Sequence, residues 1–247
     1  MRKKSLPANN LGVVIRHTGW WSNWDEYPGV EPWYVEALLG PDESATVVIA
    51  TASFHRVDLQ ICTDFGLYLD CISRDLGEIA SAINDTEDRL AEHSIIVGGN
   101  SSILIADDVV VDRFWRGNRL GPALVFFAAD ALRADGIFLT PVALGTRISA
   151  SGVCFTDYEA PRPGLPAQKK VEAAWRRAGF RKLVNDVVWI PTWLDCSGNR
   201  PNHGALARER MRKIENLSNE PRAKTWLKRR IRRQTKSLAK ITPAGLA

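Results

Sequence analysis

The chain has 247 residues, 45% of them hydrophobic, with 25% charged residues and a formal net charge of +5. A chain of that size can bury a sizeable core, and one domain followed by a tail is the natural division. No apolar run approaches the roughly eighteen residues of a membrane span and no leader pattern is read at the start, so a cytoplasmic location is expected.

In chain order, residues 11–16 and 45–52 are candidate strands, and residues 55–62 are expected to pair with the latter. Between the first two lies an aromatic segment, Trp20, Trp21, Trp24, Tyr27, Trp33 and Tyr34. Aromatics at that density form either a substrate-side wall or a satellite core under a long loop. Residues 66–83 predict one helix, because Leu69, Ile72, Leu76, Ile79 and Ile83 keep three- and four-residue spacing. Residues 103–111 suit a buried strand interrupted by Asp107 and Asp108. A helix follows on Leu120, Leu124, Phe127, Ala128, Ala131 and Leu132, with Gly136 as its expected stop, and residues 136–144 form the next apolar run. Strand, crossover helix and strand make the unit of a mostly parallel sheet. Pro161, Pro163 and Pro166 keep residues 145–167 irregular, and residues 180–191 supply closing strands through Val184, Val187, Val188 and Ile190.

The stretch 109–124, VVVDRFWRGNRLGPAL, carries the most chemistry. A turn with Gly and Arg between a strand and a helix aims unpaired N–H groups and a helix N-terminus at one point, which attracts phosphate. Pro122 fits the first helical turn, where a missing N–H costs little. Arg116-Gly117-Asn118-Arg119-Leu120-Gly121 resembles the acyl-CoA pyrophosphate loop of the GNAT superfamily of N-acetyltransferases. Residues 171–180, VEAAWRRAGF, resemble that family's second signature. The resemblance covers roughly residues 94–193.

The resemblance implies an α/β (α+β) fold, a GNAT-like mixed central sheet with helices on both faces, and transfer of an acetyl group from acetyl-CoA, or another acyl-CoA, to an amine of a small molecule or protein. It assigns the cofactor anchor to Arg116, Gly117, Asn118, Arg119, Leu120 and Gly121. The carbonyl donor falls to the backbone near Val109 and Val111, and Gln168 is a further cofactor contact. Arg119 replaces a usual glycine; its guanidinium either adds a phosphate ligand or crowds the loop, and binding is favoured. Trp175 stands where many members carry a tyrosine acid, and an indole N–H cannot take that role. Asp107 and Asp108 are the candidate bases, the two facing opposite ways if the strand is regular, with solvated turn carboxylates as the alternative. Tyr158 is the candidate substitute acid. Asp157, Tyr158 and Glu159 lie in the loop that resembles an acceptor lid.

Charge divides the chain. Residues 205–247 carry thirteen Lys or Arg against three acidic residues, while residues 1–204 are net acidic. The expected division is an acyl-CoA-binding domain, 1–204, and a basic amphipathic helical tail, 205–247. The tail's apolar positions are Ala207, Met211, Ile214, Leu217, Leu227, Ile231, Leu238 and Ile241. It either packs on the body or on a twin subunit, or contacts nucleic acid through phosphate neutralisation. A non-catalytic interaction or nucleic-acid-associated module is the alternative to the enzyme. Cys62, Cys71, Cys154 and Cys196 show no C-x-x-C pair and read as reduced, buried thiols. His17, His55, His93 and His203 share no metal-ligand spacing, so no metal is expected and each reads as structural.

Overall fold

The computed structural model describes residues 10–18, 28–41, 46–62, 64–86, 90, 102–141, 147–148, 154–155, 164–192 and 203–241. Seven strands form one mixed sheet: β1 (Asn10–His17), β2 (Val30–Gly40), β3 (Val47–Asp58), β4 (Ser102–Val111), β5 (Gly136–Leu139), β8 (Arg181–Lys182) and β9 (Val188–Pro191). Their order is β1-β2-β3-β4-β5-β9-β8, while β6 (Arg147–Ile148) and β7 (Cys154–Phe155) pair apart from it. Every neighbouring pair in the large sheet is antiparallel except β4 with β5. The sheet is mixed with helices on both faces, as expected, but the mostly parallel sheet suggested by the strand–helix–strand unit is corrected, because only β4 and β5 run parallel.

Strand alternation divides the apolar residues between two faces. Leu104, Ala106, Ile137, Leu139 and Ile190 join one core, and Ile103, Ile105, Phe138 and Trp189 join the other. The second face is covered by α1 (Phe65–Ile72) and α2 (Arg74–Asn84). The first is covered by α3 (Leu120–Leu132), with Trp175 of α4 (Leu165–Arg177) and the buried residues of α5 (His203–Ser218) and α6 (Pro221–Ile241). Helix α3 lies between the sheet and α5, which is why small residues such as Ala123, Ala128 and Ala129 are buried along with Leu120, Leu124 and Phe126.

Several expectations are corrected. Residues 30–40, read as part of an aromatic loop, form β2, the longest partner of β3; Trp33 packs against the core and meets His17 edge-on at 5.0 Å. Pro32 disguised this strand, because proline inside a run argues against one. Trp20, Trp21, Trp24 and Tyr27 lie outside the described residues. Residues 45–52 and 55–62 are not partners, since β3 runs unbroken from Val47 to Asp58 and β2 is its partner. The single helix over 66–83 is two helices. Ser73 is extended, and its Oγ accepts from Leu76 N at 3.2 Å, capping α2 while ending α1. Helix α3 stops at Leu132 with Arg133 left-handed, and Gly136 begins β5 instead of ending the helix. Cys62 is buried as expected, but Cys71 is exposed; Cys196 lies outside the described residues.

The basic helices fit their apolar pattern. Ala207, Met211, Ile214, Ala223 and Leu227 are buried in the α3-side core, with Leu217, Trp226 and Ile231 packed against it. The side chains of Leu238 and Ile241 lie outside the described residues.

Candidate functional site

The site grows from a change halfway along β4. Pairing with β5 runs from Ile103↔Gly136 to Ala106↔Leu139 and stops there, while β4 continues to Val111 along β3. One edge of residues 107–111 therefore leaves the β4/β5 ladder and has no strand partner among the described residues. On the β3 side the register also shifts: Ala106 lies opposite Phe54, and Asp108 opposite Ser53. Asp107 is the extra residue of a β-bulge.

That bulge changes which way the carboxylates face. Directly opposed residues share a face, so Asp108 lies with Ser53 on the side of α1 and α2, the side that also holds Ile105 and Val57. Val109 and Val111 turn to the α3 side, where both pack on the core. Asp107 is placed close enough to Asp108 and to Asp75 of α2 for both to raise its pKa, after the larger effect of desolvation. The expectation that the two aspartates face opposite ways holds only for a regular strand, and β4 is not regular here. The two are neither a break in the strand nor a turn.

The turn after β4 is tightly specified. Asp112 N donates to Ile49 O at 2.8 Å, Asp112 Oδ1 accepts from Phe114 N at 2.9 Å, and Trp115 N donates to Asp112 O at 2.9 Å. These bonds wind residues 113–115 into one 3₁₀ turn. Arg116 Nε donates to Val111 O at 2.9 Å, and Asn118 Nδ2 donates to Trp115 O at 3.1 Å, so both fasten the loop back onto its own start. Gly117 has φ 85°, and a side chain there would meet open space. Arg119 has φ 60° and ψ 25°, the left-handed conformation that favours glycine.

Helix α3 begins immediately after Arg119. Its first backbone bond is Ala123 N to Arg119 O at 3.2 Å, and no side chain caps it. The N–H groups of Leu120 and Gly121 thus have no intrahelical acceptor, and Pro122 has none to satisfy. A Cβ on Gly121 would lie 3.4 Å from Val109 Cγ1 and 3.6 Å from Val111 Cγ2. Helix N-terminus, parted strand and loop therefore meet at one point. Val109, Val111 and residues 116–121, proposed separately from sequence, are brought together there.

Other expected residues lie elsewhere. Gln168 Nε2 donates to Pro141 O at 2.5 Å and to Glu172 Oε1 at 3.0 Å, tying α4 to the chain just past β5. Trp175 is buried, edge-on to Phe180 at 5.1 Å. Asp157, Tyr158 and Glu159 lie outside the described residues. Two groups were missed. His55 pairs with Ile105, one step from the bulge, and burial lowers its pKa to about 4, so it is neutral at pH 7. Its Nδ1 is buried without a hydrogen-bond partner among the described residues. The second is Trp226 of the basic tail, which stacks on Phe114 at 5.1 Å and meets Trp115 edge-on at 5.6 Å. Arg230 reaches Asp112 at 4.0 Å, both side chains largely buried. The tail thus grips the turn that launches the loop.

Among the described residues no cluster of His, Cys, Asp and Glu is arranged to hold a metal, and no helix is long and apolar enough to cross a membrane. No protein-family profile matches the chain, and no curated protein does. Solved structures do show similarity. AtaT complexed with acetyl-methionyl-tRNAfMet is 12% identical at a TM-score of 0.35, over 74% of this chain and 95% of its own. A mutant of KacT is 13% identical at 0.33, over 73% and 95%. A mutant agmatine N-acetyltransferase in its apo form is 15% identical at 0.33, over 76% and 91%. Superpositions this loose carry no mechanism.

Proposed function

We propose that the protein transfers an acyl group, acetyl in the simplest case, from acyl-CoA to an amine. The observation that carries this reading is the convergence of three features at the end of β4: the parted strand, the left-handed loop 116–121 and the uncapped start of α3. Unpaired N–H groups at a helix start, with Arg116 and Arg119 beside them, suit a pyrophosphate. The strand edge released beyond Ala106 suits an extended pantetheine arm, with backbone near Val109 and Val111 as donor to the thioester carbonyl. Gly121 permits the close approach, and Gln168 holds the chain at the far side of the opening.

The proposed reaction is nucleophilic attack by the amine nitrogen on the thioester carbonyl carbon, followed by C–S cleavage and departure of the thiolate. The ammonium must first lose a proton, and Asp107 is the proposed acceptor. Although the residue is exposed at the strand surface, desolvation and then the neighbouring Asp108 and Asp75 carboxylates raise its pKa from the ordinary aspartate value. It is therefore a better base than a solvated aspartate, and the local negative charge of Asp108 favours a cationic acceptor. Tyr158 remains the proposed acid for the leaving thiolate.

The test is thermal unfolding with and without acetyl-CoA. A ligand at a hundred times its Kd stabilises the folded state by about 2.7 kcal/mol, so a clear upward shift is expected, reduced in the double variant Arg116→Ala/Arg119→Ala. No shift at millimolar acetyl-CoA overturns the reading, and an unchanged shift in the double variant moves the phosphate site elsewhere.

A second reading has its own observation. The buried residues of α6 face the core, which leaves Lys228, Arg232 and Arg233 exposed on a helix without an acidic residue. Such a row suits nucleic-acid phosphates. Binding to duplex or transfer RNA that falls steeply with salt and is lost in the triple alanine variant would support a nucleic-acid role; salt-independent or absent binding would reject it.

A further inference from the structure

The basic tail reaches the loop end of the site, and the residues it brings there form a groove of definite chemistry. Phe114, 40% exposed, stacks on Trp226 at an interplanar angle of 15°. Phe114 and Arg222 line two hollows, joined in one by Trp226 and Arg229 and in the other by Asn118 and Glu220. Arg222 and Arg229 are seven residues apart, so they lie on one flank of α6, two turns from each other and next to Trp226. Both are exposed, and neither forms an ion pair with a described residue. The turn beneath them is fixed by Asp112, which bonds Phe114 N and faces Arg230.

We infer that this groove receives the 3′-phosphoadenosine end of acyl-CoA, with the purine against the Phe114–Trp226 aromatic pair and the 3′-phosphate between Arg222 and Arg229. The inference rests on the acyl-CoA reading above and extends it from the pyrophosphate to the nucleotide. Three observations support it. The groove adjoins the loop, since Asn118 belongs to both. A flat aromatic surface with an exposed member suits a purine face, because base–aromatic stacking requires no particular hydrogen-bond pattern. Two guanidinium groups without carboxylate partners suit a phosphate dianion better than the lone carboxylate of Glu220 opposes it.

The consequence is a division of labour along one ligand. Residues 116–121 hold the pyrophosphate, and the tail reads whether a 3′-phosphate is present. The protein is titrated calorimetrically with acetyl-CoA and with 3′-dephospho-acetyl-CoA. Acetyl-CoA should bind at least tenfold more tightly. In Arg222→Ala/Arg229→Ala, and in the glutamine pair that keeps the aliphatic stems, the two ligands should bind within about twofold of each other, with affinity for the dephospho form unchanged. Phe114→Ala should weaken both ligands equally. Equal affinities in the wild-type protein, or a preference that survives both double variants, overturn the groove assignment while leaving the pyrophosphate site intact. If neither thioester binds the wild-type protein, the acyl-CoA reading and this inference fall together.

Discussion

The two halves of β4 do different work. Residues 102–106 lie between β3 and β5, and Ile103, Leu104, Ile105 and Ala106 are buried on alternating faces. Residues 107–111 keep β3 but leave the β5 ladder, carry two carboxylates and a bulge, and lead into a turn held by side-chain bonds. One half supplies stability through packing; the other supplies an edge without a strand partner among the described residues, charge, and the lead into a loop with left-handed Gly117 and Arg119. The chain places its candidate chemistry where regular pairing ends, because a fully paired central strand has no free backbone group to offer.

Paired substitutions test this contrast most strongly. Asp107→Asn should lower kcat by about 10²- to 10⁴-fold, the range for a lost general base, while raising the unfolding midpoint slightly. The sign follows from its raised pKa: the folded state disfavours the charged carboxylate, so its charge costs stability at neutral pH. Ile105→Ala, two residues earlier, should do the reverse, costing about 2–5 kcal/mol of stability as a core truncation with kcat/KM retained by the folded fraction. Equal activity losses in the two variants would erase the distinction between the halves. Kinetics and thermal melts on both proteins decide it.

A smaller effect concerns His55, at the junction of the halves. Its pKa of about 4 in the folded protein lies below the ordinary 6.5, so the unfolded chain takes up the proton first. Stability from this group is complete above about pH 6.5 and declines as the pH falls toward 4, by up to about 3 kcal/mol. His55→Gln should flatten the stability profile across that window, read from denaturant melts at half-unit pH intervals. A profile as steep as that of the wild-type protein would place the titrating group elsewhere.

Arg119 gives the smallest expected effect. Its left-handed φ of 60° costs about 1 kcal/mol for a residue with a Cβ, partly offset by the greater unfolded freedom of glycine. Arg119→Gly should raise the midpoint by about 1–3 °C without ligand and weaken acetyl-CoA binding by loss of the guanidinium. A lower midpoint would mean that the arginine contributes a contact outweighing its backbone strain.

Much of the site's frame was legible. The β-branched run, the Arg–Gly turn and the apolar helix after it fixed β4, the loop and α3, and the tail's apolar spacing matches its buried residues. What escaped was set by tertiary pairing. Pro32 and its aromatic neighbours hid β2, because local propensity cannot register that β3 and β1 flank it. Ser73 broke a helix whose apolar spacing ran straight through it, since a hydroxyl cap competes with helix continuation only when both segments have separate places to pack. The bulge at Asp107 left no local trace; it exists as a one-residue mismatch between β3 and β4, and with it came the place of Asp108 opposite Ser53. His55 went unnoticed as a site residue for the same reason.

The docking of α5 on α3 also orders events during synthesis. Ala207, Met211 and Ile214 complete the core on the α3 side, yet they lie beyond residue 202 and leave the ribosome after every strand of the large sheet. At about 5–20 residues per second, the nascent domain waits several seconds with the outer side of α3 uncovered. A ribosome that stalls or terminates before His203 releases a sheet exposing apolar residues along α3, the form that chaperones and proteases recognise first.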